Sequence, residues 1–117
     1  AALHTLSQIH CEGRRVAVLG DMLELGEFSP QMHQEIGETA AKENINALFC
    51  YGSYAKWIVK GADSVPRKEW YAEKEEMQRD LKRYLKPGDV ILFKASRGMR
   101  LETVIESLFP QLSIGNF

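Results

Sequence analysis

The chain has 117 residues, with 15 lysines and arginines against 16 aspartates and glutamates, for a formal charge of −1. That length allows one compact domain with a single core and leaves no room for a second. Its 44% apolar and 26% charged content excludes a disordered, collagen-like or disulfide-built chain, no apolar run approaches the roughly 20 residues that cross a bilayer, and the near-neutral charge gives no basic footprint for nucleic acid.

The first segment, Ala1-Ala2-Leu3-His4-Thr5-Leu6, has no initiator Met and places Ala2, Leu3, Leu6 and Ile9 at helical spacing, which reads as a helix of a polypeptide cut from something longer. Gly13-Arg14-Arg15 punctuates, and Val16-Ala17-Val18-Leu19 is a continuous apolar run closed by Gly20-Asp21, the pattern of a central parallel strand buried on both faces. Residues 21 to 29 form a loop. Ser29-Pro30 then reads as an N-cap and first helical residue, opening a helix that carries Met32, Ile36 and Ala40 on one face as far as Lys42 or Glu43.

After a turn at Asn44 and Asn46, Ala47-Leu48-Phe49-Cys50-Tyr51-Gly52 repeats the apolar strand ending in glycine. Ser53 is placed to cap a helix through Trp57, Ile58 and Val59 that Gly61 stops. Asp63 to Arg67 reads as a loop and Trp70-Tyr71 as a brief strand. Met77, Leu81 and Leu85 recur every four residues in an amphipathic helix ended by Pro87-Gly88. Asp89 to Lys94 is the strongest strand, and Leu101, Val104, Ile105 and Leu108 make a final helix closed by Pro110, with residues 112–117 a frayed tail.

Strands alternating with helices in this order predict right-handed crossovers and an α/β fold: a Rossmann-like, three-layer, doubly wound, mostly parallel sheet flanked by helices. Cys11 and Cys50 form no CxxC or zinc-spaced cluster and read as free thiols of a reducing cytoplasm, Cys50 within a core strand.

In such sheets ligands bind beyond the carboxyl ends of the strands, where loops converge and helix N-termini aim their free N–H groups. Two polar clusters fall there. Asp21, with Glu24 close behind, follows the first strand, and Lys94-Ala95-Ser96-Arg97 follows the last. A carboxylate suits ribose hydroxyls, a magnesium-bound water or an amine, whereas Arg beside a hydroxyl suits a carboxylate or phosphate. The plainer alternatives are that Asp21 is only a turn or capping residue, that Lys94 and Arg97 are solvated loop charges, and that His33 is a satisfied or exposed helix residue. His4 and His10 have no nucleophile to serve. The chain contains no GxxxxGK[ST], no GxGxxG after the first strand, no nucleophile elbow and no HExxH, so a full reaction by this domain alone is not expected.

Two stretches carry a family resemblance: Arg15-Val16-Ala17-Val18-Leu19-Gly20-Asp21-Met22-Leu23-Glu24-Leu25-Gly26, followed by His33 and Gly37, and Pro87-Gly88-Asp89-Val90-Ile91-Leu92-Phe93-Lys94-Ala95-Ser96-Arg97-Gly98-Met99. Together they resemble the C-terminal, third domain of a Mur ligase over essentially the whole chain, residues 1–117 forming that single domain. Within the family they are most similar to the branch that joins D-alanyl-D-alanine to UDP-N-acetylmuramoyl-tripeptide. The resemblance implies a cytoplasmic, monomeric, ATP-dependent ligase of peptidoglycan synthesis. Its ATP and Mg2+ would be bound mainly by a central domain and its UDP-sugar by an N-terminal domain, both lying outside this chain. It assigns Asp21 to the ATP ribose in the closed state and Lys94, Ser96 and Arg97 to the D-alanyl-D-alanine site, and it leaves Glu24 and His33 on the rim without a defined role. No catalytic residue and no metal ligand is assigned to this domain. Ala95 stands where the family usually has Gly; were φ positive there, Ala would cost about 1 kcal/mol or shift the loop.

Two rival classes share the fold type. A phosphoreceiver-like module would need an acidic pair after the first strand and an Asp ending a middle strand, whereas this chain offers Asp21 alone and Tyr51-Gly52-Ser53. A stand-alone nucleotide- or partner-binding module without catalysis is the other.

Overall fold

The computed structural model describes residues 2–22 and 29–110, apart from the side chain of Arg97. Glu24 and the tail at residues 112–117 therefore lie outside the described residues. The elements are α1 (Ala2–Gln8), β1 (Arg15–Gly20), α2 (Ser29–Lys42), β2 (Ala47–Tyr51), α3 (Ala55–Gly61), β3 (Arg67–Tyr71), α4 (Lys74–Tyr84), β4 (Val90–Lys94) and α5 (Leu101–Leu108), with a 3-10 turn at Arg97–Met99 before α5. The strands form one parallel sheet in the order β3-β2-β1-β4. The chain steps outward from β1 to β3 and then crosses back to place β4 on the other side of β1. The reversal point of the sheet, where such folds open a crevice, thus lies between β1 and β4.

Strand alternation divides the core in two. Ala17 and Leu19 of β1 and Leu48 and Cys50 of β2 face α1, α2 and α3, packing with Leu3, Leu6, Ala40, Ala55 and Ile58. Val16, Val18, Ala47, Phe49 and Tyr51 face the other way, against Met77 and Leu81 of α4 and Leu101 and Val104 of α5. Every residue of β2 is buried, as a strand covered on both faces requires. Cys50 is a free, fully buried thiol, and burial raises its pKa far above the ordinary thiol value.

Three local readings of the sequence change. β3 begins at Arg67, within the stretch read as a loop, because an edge strand needs only backbone pairing to β2 and tolerates the polar run Arg67-Lys68-Glu69. α4 ends at Tyr84, with Leu85 in extended backbone. On α2 the buried face is Ser29, His33, Gly37 and Ala40, while Met32 is 39% exposed. The reason is the crossing with α3. A Cβ on Gly37 would lie 1.9 Å from the Ile58 carbonyl oxygen, and one on Gly61 would lie 2.0 Å from that of Gln34. The two helices touch backbone to backbone, so the contact face carries the small residues and rotates the apolar stripe off centre.

The strand starts are tied by side chains. Asn46 accepts the Arg15 N–H on Oδ1 at 2.7 Å, donates its own N–H to the Arg15 carbonyl at 2.9 Å and accepts the Arg67 N–H at 3.3 Å, linking β1, β2 and β3. The Arg15 guanidinium reaches back to the carbonyls of Leu6 and Ile9, at 3.2 Å and 2.8 Å, and closes the C-terminal end of α1. Asp89, its side chain 3% exposed, accepts from the backbone N–H groups of Arg14 and Lys86, each at 2.9 Å, and from the Arg14 guanidinium at 3.0 Å. Burial works to raise the Asp89 pKa, but these donors outweigh it and hold the carboxyl below the ordinary aspartate value.

Asp89→Ala should therefore destabilise the chain by about 2–4 kcal/mol at neutral pH, because it orphans the Arg14 and Lys86 donors. A depressed carboxyl contributes stability that is present above its unfolded value, about 3.9, and is lost as pH falls through the folded one. Urea unfolding at pH 7 and at successively lower pH values checks this: the gap between the parent chain and Asp89→Ala should be widest at neutral pH and should narrow as the pH drops below about 4.

Candidate functional site

The two polar clusters that follow β1 and β4 meet at one rim. Leu19 and Lys94 pair in register at the strand ends, and the Ser96 backbone N–H donates to the Asp21 carbonyl at 3.0 Å. The parallel ladder thus continues past the sheet into the loops and holds the Asp21 and Ser96 segments side by side at the reversal point.

Asp21 is 5% exposed, and its Oδ1 accepts the backbone N–H groups of Tyr54 and Ala55 at 2.9 Å and 2.8 Å. These are first-turn donors of α3, whose own N-cap residue, Tyr54, makes no side-chain cap. The expected Ser53 cap is therefore supplied through space by a carboxylate at the end of β1, with a charge favoured by the helix N-terminus. The close approach depends on Gly52, at φ +118°, where a Cβ would sit 2.4 Å from Asp21 Oδ1. Gly52 is also held on its carbonyl, which accepts the Trp70 indole N–H at 2.8 Å.

His33 is fully buried behind this rim. Its Nε2 accepts the Met22 N–H at 2.9 Å, and its Nδ1 meets the Ser29 carbonyl at 2.5 Å. That pattern puts the proton on Nδ1. The imidazole stacks on Tyr54, ring centroids 5.6 Å apart. His33 is thus a satisfied helix residue that anchors the backbone next to Asp21.

On the β4 side, Lys94 is exposed, Ser96 is 7% exposed, and Arg97 begins the 3-10 turn. Ala95 is not among the residues with positive φ, so no strain attaches to alanine there; its methyl lies 2.8 Å from where a Cβ on Gly20 would be. The Tyr51 hydroxyl donates to the Met99 carbonyl and ties the end of β2 to the 3-10 turn. Its pKa is pushed up to about 12, by burial first and then by the negative charges of Asp21, Glu102 and Glu75, so it stays a donor at neutral pH.

The structure therefore joins Asp21, Lys94 and Ser96 on one rim and puts His33 beneath it. Tyr54, Gly52 and Tyr51 were missed from sequence; Gly52, a glycine closing an apolar strand, was the one available signal. Among the described residues no three His, Cys, Asp or Glu side chains converge as a metal site, and no helix is long and apolar enough to cross a membrane.

Residues 1–97 match the family model described as Mur ligase, glutamate ligase domain. The chain is 37% identical over 111 residues to a UDP-N-acetylmuramoyl-tripeptide–D-alanyl-D-alanine ligase of Bacillus subtilis, covering 92% of this chain and 24% of the relative. It is 34% identical over 100 residues to the enzyme of the same name from Synechocystis, covering 84% of this chain and 22% of the relative. Among solved structures, MurF ligase from Thermotoga maritima in complex with ADP superposes with a TM-score of 0.71 at 34% identity, over 92% of this chain and 24% of that one. MurF from Acinetobacter baumannii gives a TM-score of 0.81 at 27% identity, over 94% and 25%. The chain spans about a quarter of the length of these proteins.

If Asp21 caps α3, Asp21→Ala should lower stability by about 1–2 kcal/mol, while Asp21→Asn, which keeps a carbonyl oxygen, should lose less. Gly52→Ala should cost more than either, about 2 kcal/mol or above, because it adds a positive-φ penalty to a clash with the carboxylate. Equilibrium urea unfolding of the three variants ranks them.

Proposed function

The chain belongs to the Mur ligase family as its glutamate ligase domain, and on that premise we propose that it is the C-terminal domain of a longer ATP-dependent amide ligase. In this reading the whole enzyme joins D-alanyl-D-alanine to UDP-N-acetylmuramoyl-tripeptide in peptidoglycan synthesis. Residues 1–117 form its third domain, which closes over ATP and presents the dipeptide. The observation that carries the proposal is the bond from Ser96 N–H to the Asp21 carbonyl. It joins a carboxylate suited to ribose and a Lys-Ser-Arg segment suited to a carboxylate at the reversal point of the sheet.

The chemistry divides between domains. ATP phosphorylates the tripeptide carboxylate, giving an acyl phosphate and ADP, and the amino group of D-alanyl-D-alanine then displaces phosphate to form the amide. The P-loop, Mg2+ and the UDP-sugar site belong to the other two domains. In this domain Asp21 meets a ribose hydroxyl through Oδ2, the oxygen that the Tyr54 and Ala55 N–H groups do not use. Ser96 and Arg97 hold the dipeptide carboxylate, and Lys94 adds positive charge, so the amine is aimed at the acyl phosphate by orientation rather than by acid–base chemistry. His33 fixes the backbone beneath the rim, and Glu24 has no role assigned to it. The enzyme works as a cytoplasmic monomer, and the isolated domain is inactive for want of the P-loop.

The test uses the longer natural protein that contains this sequence, assayed for phosphate release dependent on ATP, UDP-tripeptide and D-alanyl-D-alanine together. Arg97→Ala should raise the dipeptide KM and lower kcat, with a combined loss in kcat/KM of about 100-fold or more and unchanged UDP-tripeptide binding. Unchanged dipeptide kinetics would remove Arg97 from the site. ATP or dipeptide binding without turnover would favour the binding-module alternative.

A further inference from the structure

At the opposite edge of the sheet, where the strands begin, lies a cleft of about 420 Å3 lined by Arg14, Arg67, Asp80, Arg83, Tyr84 and Lys86. It is separated from the rim by the length of β1, six residues or about 20 Å, and the proposed ligase chemistry makes no use of it. Four of the six lining residues are cations and one is an acid. Two of the cations are already committed: Arg14 to Asp89 and the Tyr84 carbonyl, and Arg83 to Asp80, which also accepts the Tyr71 hydroxyl at 2.6 Å.

Arg67 is ion-paired with Glu69 but makes no side-chain hydrogen bond, and Lys86 is unpaired among the described residues. The Arg67 guanidinium carbon stands 5.3 Å from the Tyr84 ring centroid and 5.5 Å from that of Phe49, within cation–π range of both rings. Yet its side-chain N–H groups make no hydrogen bond to any described residue. Glu69 Oε1 lies 3.2 Å from Nε but off the N–H direction, and Nε itself is shut off from solvent without an acceptor. A buried donor with an ion-pair contact but no hydrogen bond is incompletely satisfied and leaves the guanidinium able to take an acceptor. The Lys86 ammonium has no acidic partner among the described residues. Counting Asp80, Asp89 and Glu69 against the four cations leaves one positive charge over, enough for a small anion and too little for a polyanion.

We propose that this cleft binds a small oxyanion, a phosphate or carboxylate group, on the guanidinium fork of Arg67 with Lys86 as the countercharge. A planar fork lying beside two rings presents two N–H groups in the geometry of one oxyanion, and a lysine in its place would not reproduce that geometry. The site is independent of the ligase reading, and neither depends on the other.

The experiment is an amide-resolved NMR titration of the full chain with inorganic phosphate and, separately, acetate, with chloride holding the ionic strength constant. Saturable shifts at Arg67, Tyr84 and Lys86 with a millimolar dissociation constant are expected. Arg67→Gln and Arg67→Lys should each weaken binding about tenfold or more, whereas Lys56→Gln, an equal loss of charge on exposed α3 surface, should leave it unchanged. Arg67→Lys keeps the charge and serves if Arg67→Gln does not fold. Saturation by phosphate alone identifies a phosphoryl ligand, and saturation by both a carboxylate-tolerant one. No saturation by either anion, shifts scattered over surface lysines, or equal weakening by Arg67→Lys and Lys56→Gln overturns the proposal.

Discussion

A single buried carboxylate sets the geometry of the rim. Asp21 is almost wholly out of water, and an ionised group there is tolerable only because two N–H groups of α3 converge on it. The dependence runs both ways. α3 has seven residues, too few to persist as a helix by itself, and no side chain of its own caps it. With its start pinned to the end of β1, α3 lies where Gly37 and Gly61 let α2 cross it backbone to backbone. α2 in turn brings His33 under the rim, and His33 holds the N–H of Met22, the neighbour of Asp21. The contacts close a ring from β1 through α3 and α2 back to β1.

That ring bears on the proposed function. A ligand-binding carboxylate on a mobile loop would lose freedom each time it bound, whereas Asp21 has already lost it on folding. Oδ1 is occupied with structure, and the proposal asks only Oδ2 to meet a ligand. The capping and ligand-binding readings of Asp21 are therefore compatible. On the β4 side, the Tyr51 hydroxyl performs a similar service by holding the turn that contains Arg97 to the end of β2.

The sequence made the sheet legible because β1, β2 and much of β4 are apolar runs, and such runs ending in Gly or at a polar residue have few other meanings in an alternating chain. The rim followed from topology, since parallel strands put their following loops at one edge. Three things were not legible, each for a reason of distance or balance. The cap of α3 comes from a residue 33 positions earlier, so the local choice, Ser53, was the wrong donor of oxygen. β3 is an edge strand whose residues face less core, which is why Trp70 is 42% exposed and the strand has no apolar run to announce it. The stripe of α2 was read from Met32, the larger apolar residue, while close helix contact selected its neighbour His33 and the small Gly37. Of the expected site residues, Asp21, Lys94 and Ser96 came together, and their convergence was predictable; the burial of His33 was not.

Arg15 has a mechanical meaning. Its backbone sits in β1, in register with Val90 of β4 and bonded to Asn46, while its guanidinium grips the last carbonyls of α1. The short segment between α1 and β1 is therefore bridged by a side chain, and the helix and the central strand form one stiff lever. A torque applied to α1 would pass through that side chain into β1, whose far end leads to Asp21, without relying on the segment between them.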